Sequence, residues 1–197
     1  MKNKIFKFLI FFMLFSTEIF AKNLPNFAKN SSNQEQILLA GGCFWGVEEL
    51  FANFEGVLET EVGYSGGFGE NPTYETVSTG LTGHAETVKI IFDNSKTSLE
   101  KILKFFFTIH DPTQLNRQQN DVGTQYRSEI FYFNEEQKQK AENIIQKIEE
   151  LKIHKSKIQT KISPAKKFFK AEKYHQNYLQ ANPDGYTCHF IRKEWKF

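Results

Sequence analysis

Gln36-Ile37-Leu38-Leu39-Ala40-Gly41-Gly42-Cys43-Phe44-Trp45-Gly46-Val47-Glu48-Glu49-Leu50-Phe51 changes its apolar rhythm in mid-course. Gln36 to Ala40 reads as a strand, whereas Val47, Leu50, Phe51 and Phe54 recur at helical spacing. Cys43 is therefore expected in the first turn of a helix, where unpaired N–H groups and the positive end of the macrodipole favour a thiolate and lower the thiol pKa. Phe44 and Trp45, bulky and flanked by glycines, can wall an apolar pocket beside the sulfur. The competing reading is a buried structural cysteine between core aromatics, and the pentapeptide alone leaves both open.

Downstream, strand and helix patterns alternate without an internal repeat, which argues for one domain over 35–197. Val57 to Tyr64 alternates as a half-buried strand and ends in the glycine-rich loop Ser65 to Gly69. A short helix follows Pro72 through Val77, and a strand runs from His84 to Phe92. Thr97-Ser98-Leu99-Glu100 fits a capping box for a helix that buries Leu99, Ile102, Leu103 and Phe106 and stops before Asp111-Pro112. The polar stretch Gln114 to Thr124 is expected to be a functional loop. A strand from Arg127 to Phe133, a helix from Asn134 to about Leu151, a strand near Ile158 to Ile162 and a helix after Pro164 complete the pattern. Pro183-Asp184-Gly185 is a turn, which puts Cys188 on a C-terminal tail free to move. The expected fold class is α+β: a two-layer sandwich with a central mixed β-sheet packed by helices, a ferredoxin-like core and an irregular C-terminal tail.

The 197 residues carry a formal net charge of +2 with Lys and Arg interspersed among Glu and Asp, which gives no electrostatic case for nucleic acid. Met1-Lys2-Asn3-Lys4 followed by the apolar stretch Ile5 to Phe15 has the form of a signal peptide over 1–21. Cleavage after Ala21 would have Ile19 where a small residue is preferred. An uncleaved anchor is the alternative, but the stretch falls short of the roughly 20 apolar residues of a membrane span. Export to the periplasm is the expectation. Residues 22–34 read as a polar linker. In an oxidising compartment the two cysteines, Cys43 and Cys188, can pair either as a permanent staple or as a bond made and broken in turnover.

On the strand His84 to Phe92, alternation sets Glu86 on the face of Val88, Ile90 and Phe92. Desolvation there would raise its pKa toward neutrality and make it a proton donor beside the Cys43 nucleophile; a strand-end Glu facing solvent is the alternative. Tyr74 and Tyr126 begin segments next to loops, where each phenol can offer a hydrogen bond. His84, His110, His175 and His189 have no Cys or His partner at metal-ligand spacing, so no metal and no cofactor is expected, and His154 in its charged run reads as surface.

Gly42-Cys43-Phe44-Trp45-Gly46, Asn71-Pro72-Thr73-Tyr74-Glu75, Gly83-His84-Ala85-Glu86, His110-Asp111-Pro112-Thr113 and Asn120-Asp121-Val122-Gly123-Thr124-Gln125-Tyr126-Arg127-Ser128 together resemble, in order, the motifs of the peptide methionine sulfoxide reductases of type A. The resemblance spans roughly Gln36 to Gly185. It implies that Cys43 attacks the sulfoxide sulfur, Glu86 protonates the oxygen, Tyr74 and Tyr126 hydrogen-bond that oxygen, Phe44 and Trp45 hold the substrate methyl group, and Asp121 organises the polar side. It further implies reduction of methionine S-sulfoxide, free or in oxidised proteins, through a cysteine sulfenic acid. Gly185-Tyr186-Thr187-Cys188 resembles the family's resolving-cysteine arrangement, which implies a Cys43–Cys188 disulfide recycled by a thioredoxin-like reductant. A monomer with a repair role is the expectation. The chain departs from the family in having Ser78 where a cysteine is frequent, Gln119 where a glycine is frequent, and no third tail cysteine. Rival readings are a thiol peroxidase or general disulfide oxidoreductase, against which the aromatic pair argues, and a non-catalytic module stapled by Cys43–Cys188.

Overall fold

In the computed structural model, which describes residues 33–195, strand β1 (Gln34–Gly41) occupies the middle of a six-stranded sheet. Its sequence dictates that place: Ile37 and Leu39 bury on one face, Leu38 and Ala40 on the other. On either side β1 pairs antiparallel with β3 (Ala85–Asp93) and β6 (Ser128–Tyr132), and β3 pairs antiparallel with β2 (Val57–Ser65). Helix α1 (Phe44–Ala52) links β1 to β2, the short α2 (Tyr74–Ser78) lies between β2 and β3, and α3 (Leu99–Ile109) lies between β3 and β6 in sequence. The spatial order β6-β1-β3-β2 is that of a ferredoxin-like βαββαβ core, as expected. A parallel strand, β7 (Lys161–Pro164), extends the sheet beyond β6 and makes it mixed. The long polar loop carries a two-stranded hairpin of β4 (Arg117–Gln118) and β5 (Asp121–Val122). The expected leader and nearly all of the expected linker lie outside the described residues.

One face of the sheet meets the helices in the main core, where Ile37, Leu39, Val88, Ile90 and Phe92 pack with Phe51, Leu103, Phe106 and Phe107. Helix α4 (Glu135–Glu150) closes that core with Ala141, Ile144 and Ile148. A smaller cluster of Leu38, Ala40, Ala85, Phe131 and Ala165 covers the opposite face. Helix starts follow capping chemistry: Asn134 accepts from Gln137 N–H at 2.9 Å, and Ser98 accepts from Lys101 N–H at 3.4 Å. The α3 cap therefore sits one residue later than the Thr97–Glu100 box predicts.

The helix expected after Pro164 does not form. Ala165 N–H instead donates to Tyr132 O at 2.7 Å, and Ala171 N–H donates to Val62 O at 3.0 Å, while β8 (Phe169–Lys170) adds to the free edge of β2. Unpaired edge groups of β6 and β2 capture the chain, and tertiary hydrogen bonding overrides local propensity. After β8 the chain makes a 3-10 turn at Lys173–His175 and a short helix, α5 (Tyr178–Ala181).

Capture of β8 needs a bare backbone at Gly63, where a Cβ would collide with Phe168 and with the Phe169 carbonyl. Gly63→Ala is expected to lower stability by about 1–3 kcal/mol, the usual cost of overpacking, read as a shifted denaturation midpoint at unchanged slope. An unchanged midpoint would show that β8 contributes nothing to the fold.

Candidate active site

The glycines after β1 turn the chain sharply into α1. Gly42 adopts φ +107, a conformation open to glycine but strained for other residues, and Cys43 becomes the N-cap of α1 rather than a residue of its first turn. No side chain of the cap satisfies the first amides. The Phe44 N–H donates instead to Glu86 Oε2 at 3.0 Å, across the space between α1 and β3. Register explains the meeting: Glu86 lies at the buried end of β3, opposite Tyr64, on the face shared with Val88, Ile90 and Phe92. It is 2 % exposed, so the alternative of a solvent-facing Glu is excluded.

Burial pushes the Glu86 carboxyl up to about 8, with a smaller push from the charge of Asp121 and against the pull of the Phe44 N–H. At neutral pH the group is chiefly the neutral acid. One oxygen accepts from the helix, which leaves the other able to carry the proton.

Cys43 behaves otherwise than its place at a helix start predicts. Burial first, then the negative charges of Glu86, Asp121 and Cys188, push its thiol far above the ordinary range, while the Trp45 N–H pulls it down. The helix start is there, but desolvation outweighs it.

Tyr74 and Tyr126 converge on the same spot. Both phenols are pushed up by burial and next by Glu86; Asp121, Cys43 and Tyr74 also act on Tyr126. Of the aromatic pair, Phe44 is fully buried and belongs to the core as well as to the site, contrary to the expectation that both rings are free for a pocket. Trp45 is half-buried and held from behind: its Nε1–H donates to His175 Nδ1 at 3.1 Å, and its ring stacks on Tyr178 at 3.9 Å. Asp121 on β5 accepts from Tyr186 OH at 3.0 Å and from Cys188 Sγ at 3.2 Å.

The tail that carries Cys188 is docked. His189 Nε2 hydrogen-bonds Gly41 O at 2.7 Å, and the Cys43 N–H acts on the Cys188 sulfur, which is pushed up to about 12, chiefly by burial and then by Asp121. Gly46 makes room for this docking, because a Cβ there would collide with Thr187 and lie 2.7 Å from His189 Nδ1. Cys43 and Cys188 are both free thiols here, and the tail is seated by hydrogen bonds.

His175, Tyr178 and His189 support the site without any sequence signal beyond their type, and Tyr186, of the Gly185–Cys188 stretch, supports it through Asp121. Each lies more than a hundred residues from the group it touches except Tyr186, which is 65 residues from Asp121. Gln119 keeps a left-handed φ of +54, held by its N–H to Gln114 Oε1 at 2.8 Å, so the loop retains the shape a glycine would take. Ser78 caps its own helix turn by donating to Tyr74 O at 2.6 Å. His110 is structural, hydrogen-bonded to Phe106 O and Ser128 Oγ, and His84 hydrogen-bonds the glycine loop at Gly67 and Phe68. His154 is half-buried edge-on to Trp195, not a surface residue. Among the described residues, no group of three or more His, Cys, Asp or Glu side chains is placed to hold a metal ion.

A ferredoxin-like sheet that brings a buried thiol, a neutral carboxyl and a second thiol to one helix start defines a cysteine-dependent oxidoreductase. Over residues 35–196 the chain matches the family model described as peptide methionine sulfoxide reductase. It is 52 % identical over 166 residues to the peptide methionine sulfoxide reductase MsrA of Mycobacterium bovis, covering 84 % of this chain and 88 % of the relative. Mxr1 of Saccharomyces cerevisiae in reduced form superposes with a TM-score of 0.78 at 35 % identity, covering 83 % of this chain and 95 % of that one. Mxr1 in complex with Trx2 shares the fold, with a TM-score of 0.57 at 22 % identity over 86 % of this chain and 97 % of that one. The chain belongs to the peptide methionine sulfoxide reductase family.

Burial of Glu86 has a measurable cost in alkali. The folded protein keeps a proton that the unfolded chain releases in the ordinary carboxylate range, so stability declines as pH rises from about 4.5 to about 8 and is level beyond. Glu86→Gln keeps the shape and the acceptor for Phe44 N–H but does not titrate. Its thermal midpoint should draw ahead of the parent's progressively across that window; parallel profiles would show Glu86 ionised throughout.

Proposed function

We propose that this family member reduces methionine S-sulfoxide, free or in oxidised proteins, with Cys43 as nucleophile and Glu86 as acid. The observation that carries the assignment is the buried Phe44 N–H to Glu86 hydrogen bond, which places a proton-bearing carboxyl beside the cysteine at the start of α1. Trp45, braced by His175 and Tyr178, and the edge of Phe44 receive the substrate's methyl group, while the Tyr74 and Tyr126 phenols donate to the sulfoxide oxygen.

The raised thiol pKa of Cys43 fits this order of events. Protonation of the sulfoxide oxygen by Glu86 creates positive character at the substrate sulfur, and that charge favours passage of the Cys43 proton to the Glu86 carboxylate just formed, which restores the acid. The Cys43 sulfur then bonds to the substrate sulfur, the oxygen is transferred, and methionine leaves with Cys43 as its sulfenic acid. Cys188 attacks that sulfur to form the Cys43–Cys188 disulfide and release water. A thioredoxin-like dithiol then restores both thiols, a step supported by the complex of the yeast relative with Trx2. Asp121, bound by Tyr186 and Cys188, orders the polar side on which this second thiol lies.

Incubation with methionine sulfoxide and dithiothreitol should yield methionine; Cys43→Ser should abolish it, and without reductant Cys188→Ser should stop after one equivalent. Methionine formation that survives Cys43→Ser would refute the assignment. Peroxide consumption without methionine would point instead to a thiol peroxidase.

The basic, then apolar, opening of the chain supports export to the periplasm with removal of residues 1–21. Intact mass of protein recovered from the producing cell's exported fraction should begin near Lys22. A mass that includes Met1 to Ala21 would contradict removal.

A further inference from the structure

We propose that His189 is a positioning residue for the resolving step, its Nε2–H donating to the Gly41 carbonyl while its Nδ1 shares the Cys188 thiol hydrogen with Asp121, so that the second sulfur is held beside Cys43. The proposal deepens the assignment of Cys188 as resolving thiol and rests on it. Its ring is buried at 6 % exposure against the last residues of β1. The Gly41 carbonyl can only accept, so at 2.7 Å it fixes the hydrogen on Nε2 and leaves Nδ1 bare. That bare nitrogen lies 3.4 Å from Cys188 Sγ and faces a thiol whose hydrogen also has Asp121 Oδ2 within reach at 3.2 Å. Burial pulls the ring down to about 4, so it is neutral at neutral pH, and the Gly41 carbonyl holds the hydrogen on Nε2.

What distinguishes this arrangement is where the ring is anchored. Gly41 is two residues before Cys43 on the same turn, so the carrier of the second thiol is tied to the carrier of the first. The turn is shaped to admit it: a Cβ on Gly42 would lie 3.0 Å from His189 Cε1, and one on Gly46 would lie 2.7 Å from Nδ1. The His189 N–H further closes the tail on itself by donating to Thr187 Oγ1 at 3.1 Å. In the resolving step the Cys188 sulfur bonds to the Cys43 sulfur and the Cys43 S–O bond breaks. Cys188 is oxidised, Cys43 is reduced from sulfenic acid to disulfide, and the departing hydroxide takes the Cys188 proton to leave as water. No further oxidant or reductant is required. A thiol on an untethered tail would reach the same geometry only by search, and a misplacement of about 1 Å can slow a reaction on the order of a hundredfold.

The test is a single turnover of the reduced enzyme with methionine sulfoxide and no reductant, following methionine by chromatography and the Cys43–Cys188 linkage by mass spectrometry of alkylated samples. His189→Ala should release one equivalent of methionine at the parent rate but form the disulfide on the order of ten- to a hundredfold more slowly. His189→Gln, whose amide can donate to the Gly41 carbonyl, should recover most of the loss. Disulfide formation at the parent rate in His189→Ala, an equal slowing of methionine release, or failure of His189→Gln to recover would each overturn the proposal. If the parent enzyme itself turns over without a Cys43–Cys188 linkage, the assignment of Cys188 falls, a failure distinct from that of His189.

Discussion

A carboxylic acid that gives up its water to sit under a helix start is the interaction on which this molecule's chemistry depends. The Phe44 N–H to Glu86 contact ties the first free amide of α1 to the inner end of β3, and so ties the cysteine's turn to the sheet. Two tendencies compete there. An exposed helix terminus would favour the carboxylate, whereas full burial favours the acid, and burial prevails. The same desolvation holds the Cys43 thiol protonated, so the acid and the nucleophile both rest neutral and acquire charge when a polar sulfoxide arrives.

The second half of the chain wraps around that point and braces it. Capture of residues after Pro164 by the sheet edges brings Glu172, His175 and Tyr178 behind the site. Glu172 accepts from Tyr74 N–H at 2.8 Å and from Tyr64 OH at 2.9 Å, and His175 and Tyr178 fix Trp45. The tail beyond Gly185 then seats Cys188 against Asp121 and His189 against Gly41. Both brackets are contacts between residues far apart in the sequence, which a local pattern does not encode.

The division between what was legible in the sequence and what was not follows from this. The run Gln36 to Phe51 announces a strand, a turn and a helix because a short continuous apolar run gives way, across two glycines, to helical spacing, and alternation along Ala85 to Phe92 puts Glu86 inward. Motif order further places Tyr74, Asp121 and Tyr126, which the folded chain brings to one site. The helix expected after Pro164 failed because edge pairing outcompeted propensity, and the depressed thiol pKa expected of Cys43 failed because a helix position says nothing about how dry the position is. Docking of the tail was illegible for the same kind of reason: a turn sequence at Pro183-Asp184-Gly185 marks where the chain bends, not what it then touches.

The account turns on the protonation state of one side chain. Isotope-edited infrared spectroscopy of the glutamates, with Glu86→Gln as the difference reference, reads the Glu86 carboxyl directly in the substrate-free enzyme. A protonated carbonyl band that persists at pH 7 and disappears with a midpoint near 8 is the expected result. A carboxylate band already complete in the ordinary range around pH 4–5 would contradict it, and with it the role of Glu86 as the acid that activates the substrate.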